Sequence, residues 1–222
     1  MRVAAFVFAI AFMLTRTAAG EPTVSARDGN IFIRDDSGEE RQLTSSGRDS
    51  SPVLDPARKW VVFVRSIEGK PILTGNDPDG YPPAELWQIA VNGKEPTRFV
   101  RTRNAEKPED IIAAFEDVQF SSDGRLVYFI SPAWATSGAV HVVDTTNGRE
   151  RFLLAGNEFE VIHFGKYRDH LLVNQHRYFV GPGSFDWFWL FQPDGKEVGP
   201  VGEETEDFKS LHVTDERSAE RP

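Results

Sequence analysis

No cysteine occurs anywhere in the 222 residues. That excludes disulfides and attachment of a lipid through cysteine, so stability has to come from a buried core. Basic clusters are also missing. There is no run of five Lys or Arg, and 34 acidic residues outnumber 25 basic ones for a net charge of −9. Phosphate backbones are gripped through clustered cations, so nucleic acid is not expected as a partner, and anionic membrane surfaces are disfavoured on the same ground. No Gly-x-Ser-x-Gly elbow surrounds Ser137 or Ser184 and no dinucleotide or phosphate loop is present. A serine nucleophile is therefore unsupported and no cofactor is expected.

Long apolar runs are absent too, apart from Val3 to Leu14 behind Arg2. Twelve residues fall short of the about 20 that cross a bilayer as a helix. Followed by Ala18-Ala19-Gly20, the run reads as an export signal over residues 1–20, with the mature chain beginning at Glu21 and no membrane span after cleavage. Loss of Arg2 and Arg16 with that segment deepens the net charge by two. The remainder is long enough for one domain with a sizeable core.

What is present is a repeat. Ile31-Phe32-Ile33 runs into Asp36-Ser37-Gly38, Leu86-Trp87-Gln88-Ile89 into Asn92-Gly93, Val140-His141-Val142-Val143 into Asn147-Gly148, and Phe188-Trp189-Leu190-Phe191 into Asp194-Gly195. The closing glycines are spaced 55, 55 and 47 residues apart. Hairpin turns of this kind need positive φ, which Asn-Gly and Asp-Gly adopt at little steric cost. A second signature alternates with the first: Ser51-Pro52-Val53-Leu54-Asp55-Pro56-Ala57-Arg58-Lys59-Trp60, and Phe120-Ser121-Ser122-Asp123-Gly124-Arg125. Each reads as another tight hairpin, which makes four strands per repeat.

The period is somewhat longer than the roughly 40 to 45 residues of a plain four-stranded propeller blade, so insertions are expected. The expected fold is all-β: a β-propeller over residues 21–213, with four blades of four antiparallel strands. Ser66 to Ala84, rich in Pro and Gly, reads as a long loop. Lys107 to Phe115, with Pro108, Glu109 and Asp110 at its start, reads as one short insertion helix. Phe208 to Val213 alternates and reads as a last strand that pairs with the first and closes the ring. An open stack, or two chains sharing a larger ring, is the alternative. Residues 214–222 read as a frayed acidic tail.

These residues resemble the TolB-type propeller repeat, the WD40-like PD40 repeat: strand, Asp-x-x-Gly, Leu-Thr, then Ser-Pro-x-Trp-Ser-Pro-Asp-Gly-Lys, then strand. Ile31 to Thr44, Ser51-Pro52 and Lys59 to Phe63 carry it in one copy, and Phe120 to Arg125 in another. Ala57-Arg58 stands where the family has Asp-Gly, and Lys166-Tyr167-Arg168-Asp169 has drifted further. The resemblance implies a β-propeller and a periplasmic or secreted protein. TolB has an α/β domain ahead of its propeller, whereas about ten residues precede the first repeat here. Related peptidases carry a hydrolase domain with the nucleophile elbow that this chain lacks.

The most unusual stretch is 170–189, His170 to Trp189, where polar residues interrupt an otherwise apolar hairpin. Alternation puts His170, Asn174, His176 and Tyr178 on one face and Gln175 and Arg177 on the other. The functional reading is a ligand site in which His176 and Arg177 grip a polar or anionic group beside Tyr178, Trp187 and Trp189, with Asp186 orienting one of them. The bland reading pairs Arg177 with Asp186 across the hairpin and buries the aromatics. His163, His170 and His176 are weak metal candidates, on which the alternative function of a metal-dependent lyase or hydrolase rests, as in some TolB-like pectin-fragment lyases. Asn76-Asp77-Pro78-Asp79-Gly80 fails as a calcium loop, because Leu86 falls where a bidentate Glu is required. The function expected is a non-catalytic binding or scaffold module for a protein or peptide, with carbohydrate as the second choice of partner. If residues 1–20 are an export signal, intact-mass analysis of the exported protein finds Glu21 at its amino terminus; a chain retaining Arg2 would overturn that reading.

Overall fold

The computed structural model describes residues 20–213 except Asn76, Lys94, Phe179, Val180 and Pro182. The export segment other than Gly20, and the tail over 214–222, lie outside the described residues. Four antiparallel sheets follow one another along the chain as blades. Blade 1 has three strands, β1 (Thr23–Arg27), β2 (Asn30–Arg34) and β3 (Glu40–Gln42). Blade 2 has β4 (Asp49–Leu54) and β5 (Trp60–Ser66), then an inserted hairpin of β6 (Ile72–Thr74) and β7 (Asp77–Tyr81), then β8 (Ala84–Ala90) and β9 (Thr97–Arg101). Blade 3 has β10 (Glu116–Phe120), β11 (Leu126–Pro132), β12 (Gly138–Asp144) and β13 (Arg149–Gly156). Blade 4 has β14 (Glu158–Val161), β15 (Leu171–Tyr178), β16 (Ser184–Phe191) and β17 (Glu197–Gly202).

The glycine corners occupy equivalent places. Gly93, Gly148 and Gly195 close the turn between the third and fourth strands of blades 2, 3 and 4, at φ of 80°, 68° and 92°. Gly38 does the same between β2 and β3, at φ 85°, which identifies β1–β3 as the second, third and fourth strands of a blade. The described residues thus open on the second strand of a blade. The other signature turns between the first and second strands. At Asp55 the departure from Asp-Gly is accommodated: Arg58 takes the left-handed conformation at φ 57°, and the Asp55 carboxylate accepts from the backbone N–H groups of Ala57, Lys59 and Trp60.

Packing between blades explains why the middle strands do not alternate. Val61 and Phe63 of β5 face Ile31 of blade 1, while Val62 between them faces Ile112, Phe120 and Phe129 at the blade 3 side. Val127 and Phe129 of β11 face blade 2, and Tyr128 and Ile130 face Phe159, Val161, Leu171 and Val173 of blade 4. A strand covered on both faces buries every residue. Polar straps tie the seams as well. The Gln119 side chain donates to Phe159 O at 2.9 Å and accepts from Val161 N–H at 3.0 Å, bridging β10 to β14 as a backbone amide would.

Four expectations are corrected. Phe208–Val213 is not a closing strand: Glu206–His212 forms a helix, α1, that packs Phe208 over blade 4 against Ile162, Leu172 and Leu190. Phe208 and His212, one turn apart, both meet the Tyr167 ring, so helical spacing rather than alternation fits that partner. No ladder, ion pair or buried cluster joins blade 1 to blade 4 among the described residues. Among the described residues blade 1 has three strands rather than four. The insertion helix shrinks to a 3₁₀ turn, Pro108–Asp110, because Ile112, Ala113 and Phe115 are drawn in extended form into the seam between blades 2 and 3, where Ile112 and Arg103 exchange backbone bonds. The loop expected over Ser66–Ala84 contains the β6–β7 hairpin.

Among the buried polar residues, Asp49 is a carboxylate paired with an arginine. Arg65 Nε and Nη2 donate to Asp49 at 2.6 and 3.0 Å, and the Arg65 guanidinium lies 4.6 Å from the Trp87 ring centre. Burial by itself would push the Asp49 carboxyl up, but hydrogen bonds from Arg65, Thr44 and Ser46 outweigh it and hold it below the usual carboxylate range. Its contribution to stability is therefore complete above about pH 4 and is lost as pH falls through the depressed value. Asp49→Asn should cost about 3 kcal/mol at neutral pH by stranding Arg65. Urea melts across pH 2–7 should show a shallower acid loss for the variant; parallel profiles would refute the assignment.

Candidate functional site

The eight-residue strands β15 and β16 pair along their whole length, from Leu171 with Phe191 to Tyr178 with Ser184. Their flanking strands are shorter. β14 pairs only with Leu171–Asn174 and β17 only with Phe188–Phe191. Beyond Asn174 and Phe188 the hairpin continues as a two-stranded arm to which neither neighbour adds a ladder pair among the described residues. His176, Arg177, Tyr178, Asp186 and Trp187 all lie on this arm, and Trp189 lies at its base.

Alternation splits them between two faces. Arg177 shares a face with Gln175 and Trp189: its guanidinium carbon is 3.6 Å from the Trp189 ring centre, Nη2 reaches Glu197 Oε2 at 2.7 Å, and Nε donates to Gln175 Oε1 at 2.8 Å. Gln175 Nε2 in turn donates to Ala155 O of β13, so this face ties the arm to blade 3. The opposite face carries His176, whose Nδ1–H donates to Asp186 Oδ1 at 2.8 Å, with the Tyr178 ring edge-on at 5.0 Å. Asp186 therefore pairs across the hairpin with His176, its register partner, and not with Arg177, whose register partner is Phe185. Tyr178 is 73% exposed and Trp187 half-buried. The arrangement provides a charged, aromatic-edged surface with a histidine whose Nδ1 is committed.

The three histidines considered for metal are dispersed. His163 Nδ1 lies 3.3 Å from Ser122 Oγ, and His170 Nδ1 donates to Arg168 O beside the β14–β15 turn, while His176 is out on the arm. No group of three His, Cys, Asp or Glu placed to hold a metal occurs among the described residues. Ser137 belongs to the β11–β12 loop and Ser184 to the arm; Asn76 lies outside the described residues, and Asp77–Gly80 run within β7.

One polar group escaped the sequence reading. His141 is fully buried within apolar β12, stacked 5.2 Å from Phe129, and its Nδ1–H donates to Glu150 Oε1 at 2.7 Å. Arg103, from the segment joining blades 2 and 3, donates to Glu150 Oε2 at 2.8 Å. Burial would raise the Glu150 carboxyl, but the bonds from His141 and Arg103 outweigh it and lower it. The signal was a lone histidine inside an apolar strand; its partners lie 9 and 47 residues from the atoms they meet.

Comparison with known proteins finds no family model and no curated protein that matches. Solved structures match by fold. Dipeptidyl peptidase 4 of Porphyromonas gingivalis overlays with a TM-score of 0.58 at 14% identity, over 83% of this chain and 32% of that one. The β-propeller domain of the Trilobed protease from Pyrococcus furiosus, described as having an open velcro topology, gives 0.51 at 15% identity over 79% and 49%. Puromycin hydrolase gives 0.52 at 17% over 83% and 29%. The chain spans less than half of the length of each. The β-propeller expected from the repeat is the fold found.

Arg177 acts as a strut in this geometry. Arg177→Ala should lower stability by about 1 kcal/mol through loss of the ring contact and a half-exposed ion pair. His176→Ala should change it by less than about 0.5 kcal/mol. Urea denaturation of the two variants checks this; the reverse order would show the arm is held from its other face.

Proposed function

We propose that this chain is an exported, non-catalytic binding module that presents the β15–β16 arm to a protein or peptide partner. The observation that carries the reading is the overhang of Gln175–Tyr178 beyond β14. A strand edge with no neighbour offers backbone N–H and C=O groups to an extended peptide, and alternate side chains then select it. Tyr178 and Trp187 supply aromatic contact area at the arm, the residue types that dominate binding energy at interfaces. The His176–Asp186 and Arg177–Glu197 pairs stiffen it, which reduces the ordering cost of association. Export rests on residues 1–20 of the sequence, and a periplasmic or secreted setting follows from it.

The test uses a photo-crosslinking residue at position 178 in cells that make the protein. A second version replaces residues 175–187 by an Asn-Gly turn joining Asn174 to Phe188, which are already register partners. The reading expects one discrete crosslinked protein from the native arm, and its disappearance when Trp187→Ala is added. It also expects the shortened version, marked at position 174, to capture nothing while keeping its circular dichroism. Capture of the same protein by the shortened version would overturn the reading.

A further inference from the structure

A second concave site lies on another part of the fold. The inserted β6–β7 hairpin leans over blade 3, with its tip at Gly75 against Ala133 and Ala135 of the β11–β12 loop. Between them is a cleft of about 320 Å³, bounded by Tyr81 of the hairpin, Trp134 and Ser137 of the loop, and Glu116 at the start of β10. The loop wall is rigidly built. Trp134 N–H donates to Ser137 O, and Asn157 clamps the loop by donating to Thr136 O and accepting from Gly138 N–H, both at 3.1 Å. Phe152 meets the Trp134 ring edge at 6.2 Å.

Glu116 is the informative residue. The register of β10 against β11 breaks between Glu116 and Gln119, and Asp117, at φ 48°, takes the left-handed conformation beside it. The same break recurs in β4 between Ser50 and Val53, with Ser51 at φ 51°, so the bulge belongs to the blade repeat, and in blade 3 it re-aims the Glu116 side chain. The Glu116 carboxylate, on an exposed residue, has no hydrogen bond or ion pair with any described group. Loss of water around it pushes its carboxyl above the usual range. No Lys or Arg is among the described residues of the wall, and Asp77 stands nearby on β7. The only formal charge in the wall is therefore negative and lacks a counter-charge, and it is flanked by two aromatic residues whose faces attract cations.

We propose that this cleft binds an ammonium group, with Glu116 as its counter-ion and Tyr81 and Trp134 as its walls. The chemistry fits a lysine side chain or a free peptide amino terminus, and does not fit a carboxylate or phosphate. Glu116 is an exposed residue of the cleft wall, and its carboxylate gains from a charge-assisted N–H donor seated beside the two aromatic residues.

The five tryptophans give five indole N–H signals in a ¹H–¹⁵N spectrum of the exported chain, and Trp134→Phe identifies one of them. Three probes are titrated: acetyl-Gly-Lys-Gly-amide, Gly-Gly-Gly-amide with its amino terminus free, and acetyl-Gly-norleucine-Gly-amide. The Trp134 signal should move with the first, the second or both, which tells the lysine source from the terminal one, and should not move with norleucine. Glu116→Gln should weaken the response by about tenfold or more, the worth of one charge-assisted bond. Tyr81→Leu provides an independent check through the opposite wall and should also weaken it. The shortened-arm chain should bind the ammonium peptides normally, which separates this site from the arm. An equal response to norleucine, an unaltered response in Glu116→Gln, or no movement with either ammonium peptide would overturn the proposal.

Discussion

Each sheet in this protein has two faces, and a sheet is stable only when both are accounted for. That constraint organises the molecule. Four successive blades make three apolar seams, between blades 1 and 2, 2 and 3, and 3 and 4, and they leave two faces over. The leftover faces are handled differently. On blade 1 the face carrying Arg27, Phe32, Arg34 and Glu40 is polar, with both arginines paired to Glu40 and Arg27 lying 4.1 Å over the Phe32 ring. On blade 4 the corresponding face keeps Leu172, Leu190 and Phe188, and α1 lies across them. A polar surface and an apolar surface under a helix are two solutions to the same problem, and they resemble the capping units of repeat arrays.

The repeat was legible because its signal is local. A turn that needs positive φ needs Gly, Asn or Asp at a fixed offset from apolar strands, so Gly38, Gly93, Gly148 and Gly195 could be aligned without knowing the packing. Even the irregular copy at Ala57-Arg58 folded as the regular one does, since the Asp55 carboxylate holds that turn. What the sequence hid was decided at long range. Leu211 and Val213 alternate as in a strand while Phe208 and His212 are spaced for a helix, and the choice fell to Tyr167, some forty residues earlier. Pro108 and its acids promised a helix, but the seam between blades 2 and 3 claimed Ile112 and Phe115.

The same division holds for the sites. His176, Arg177 and Asp186 were conspicuous as polar residues in an apolar hairpin, and alternation already placed His176 and Arg177 on opposite faces. That they stand on an overhang depends on where β14 and β17 stop, which their own residues do not announce. The cleft was invisible, because Tyr81, Glu116 and Trp134 come from three segments with no pattern in common and meet only when an inserted hairpin folds over the next blade. His141 was half visible: its oddity could be read, its arginine and glutamate could not.

Among the described residues no ladder joins the first and last sheets, and this has a bearing on how such a protein changes over time. In a torus the number of sectors is set by geometry, and adding one means re-angling all the others. Here every seam among the described residues involves two consecutive sheets. A duplicated unit inserted between blades 2 and 3 would meet two ready-made surfaces and leave the polar end and the helical end untouched. Length in this architecture is a free variable.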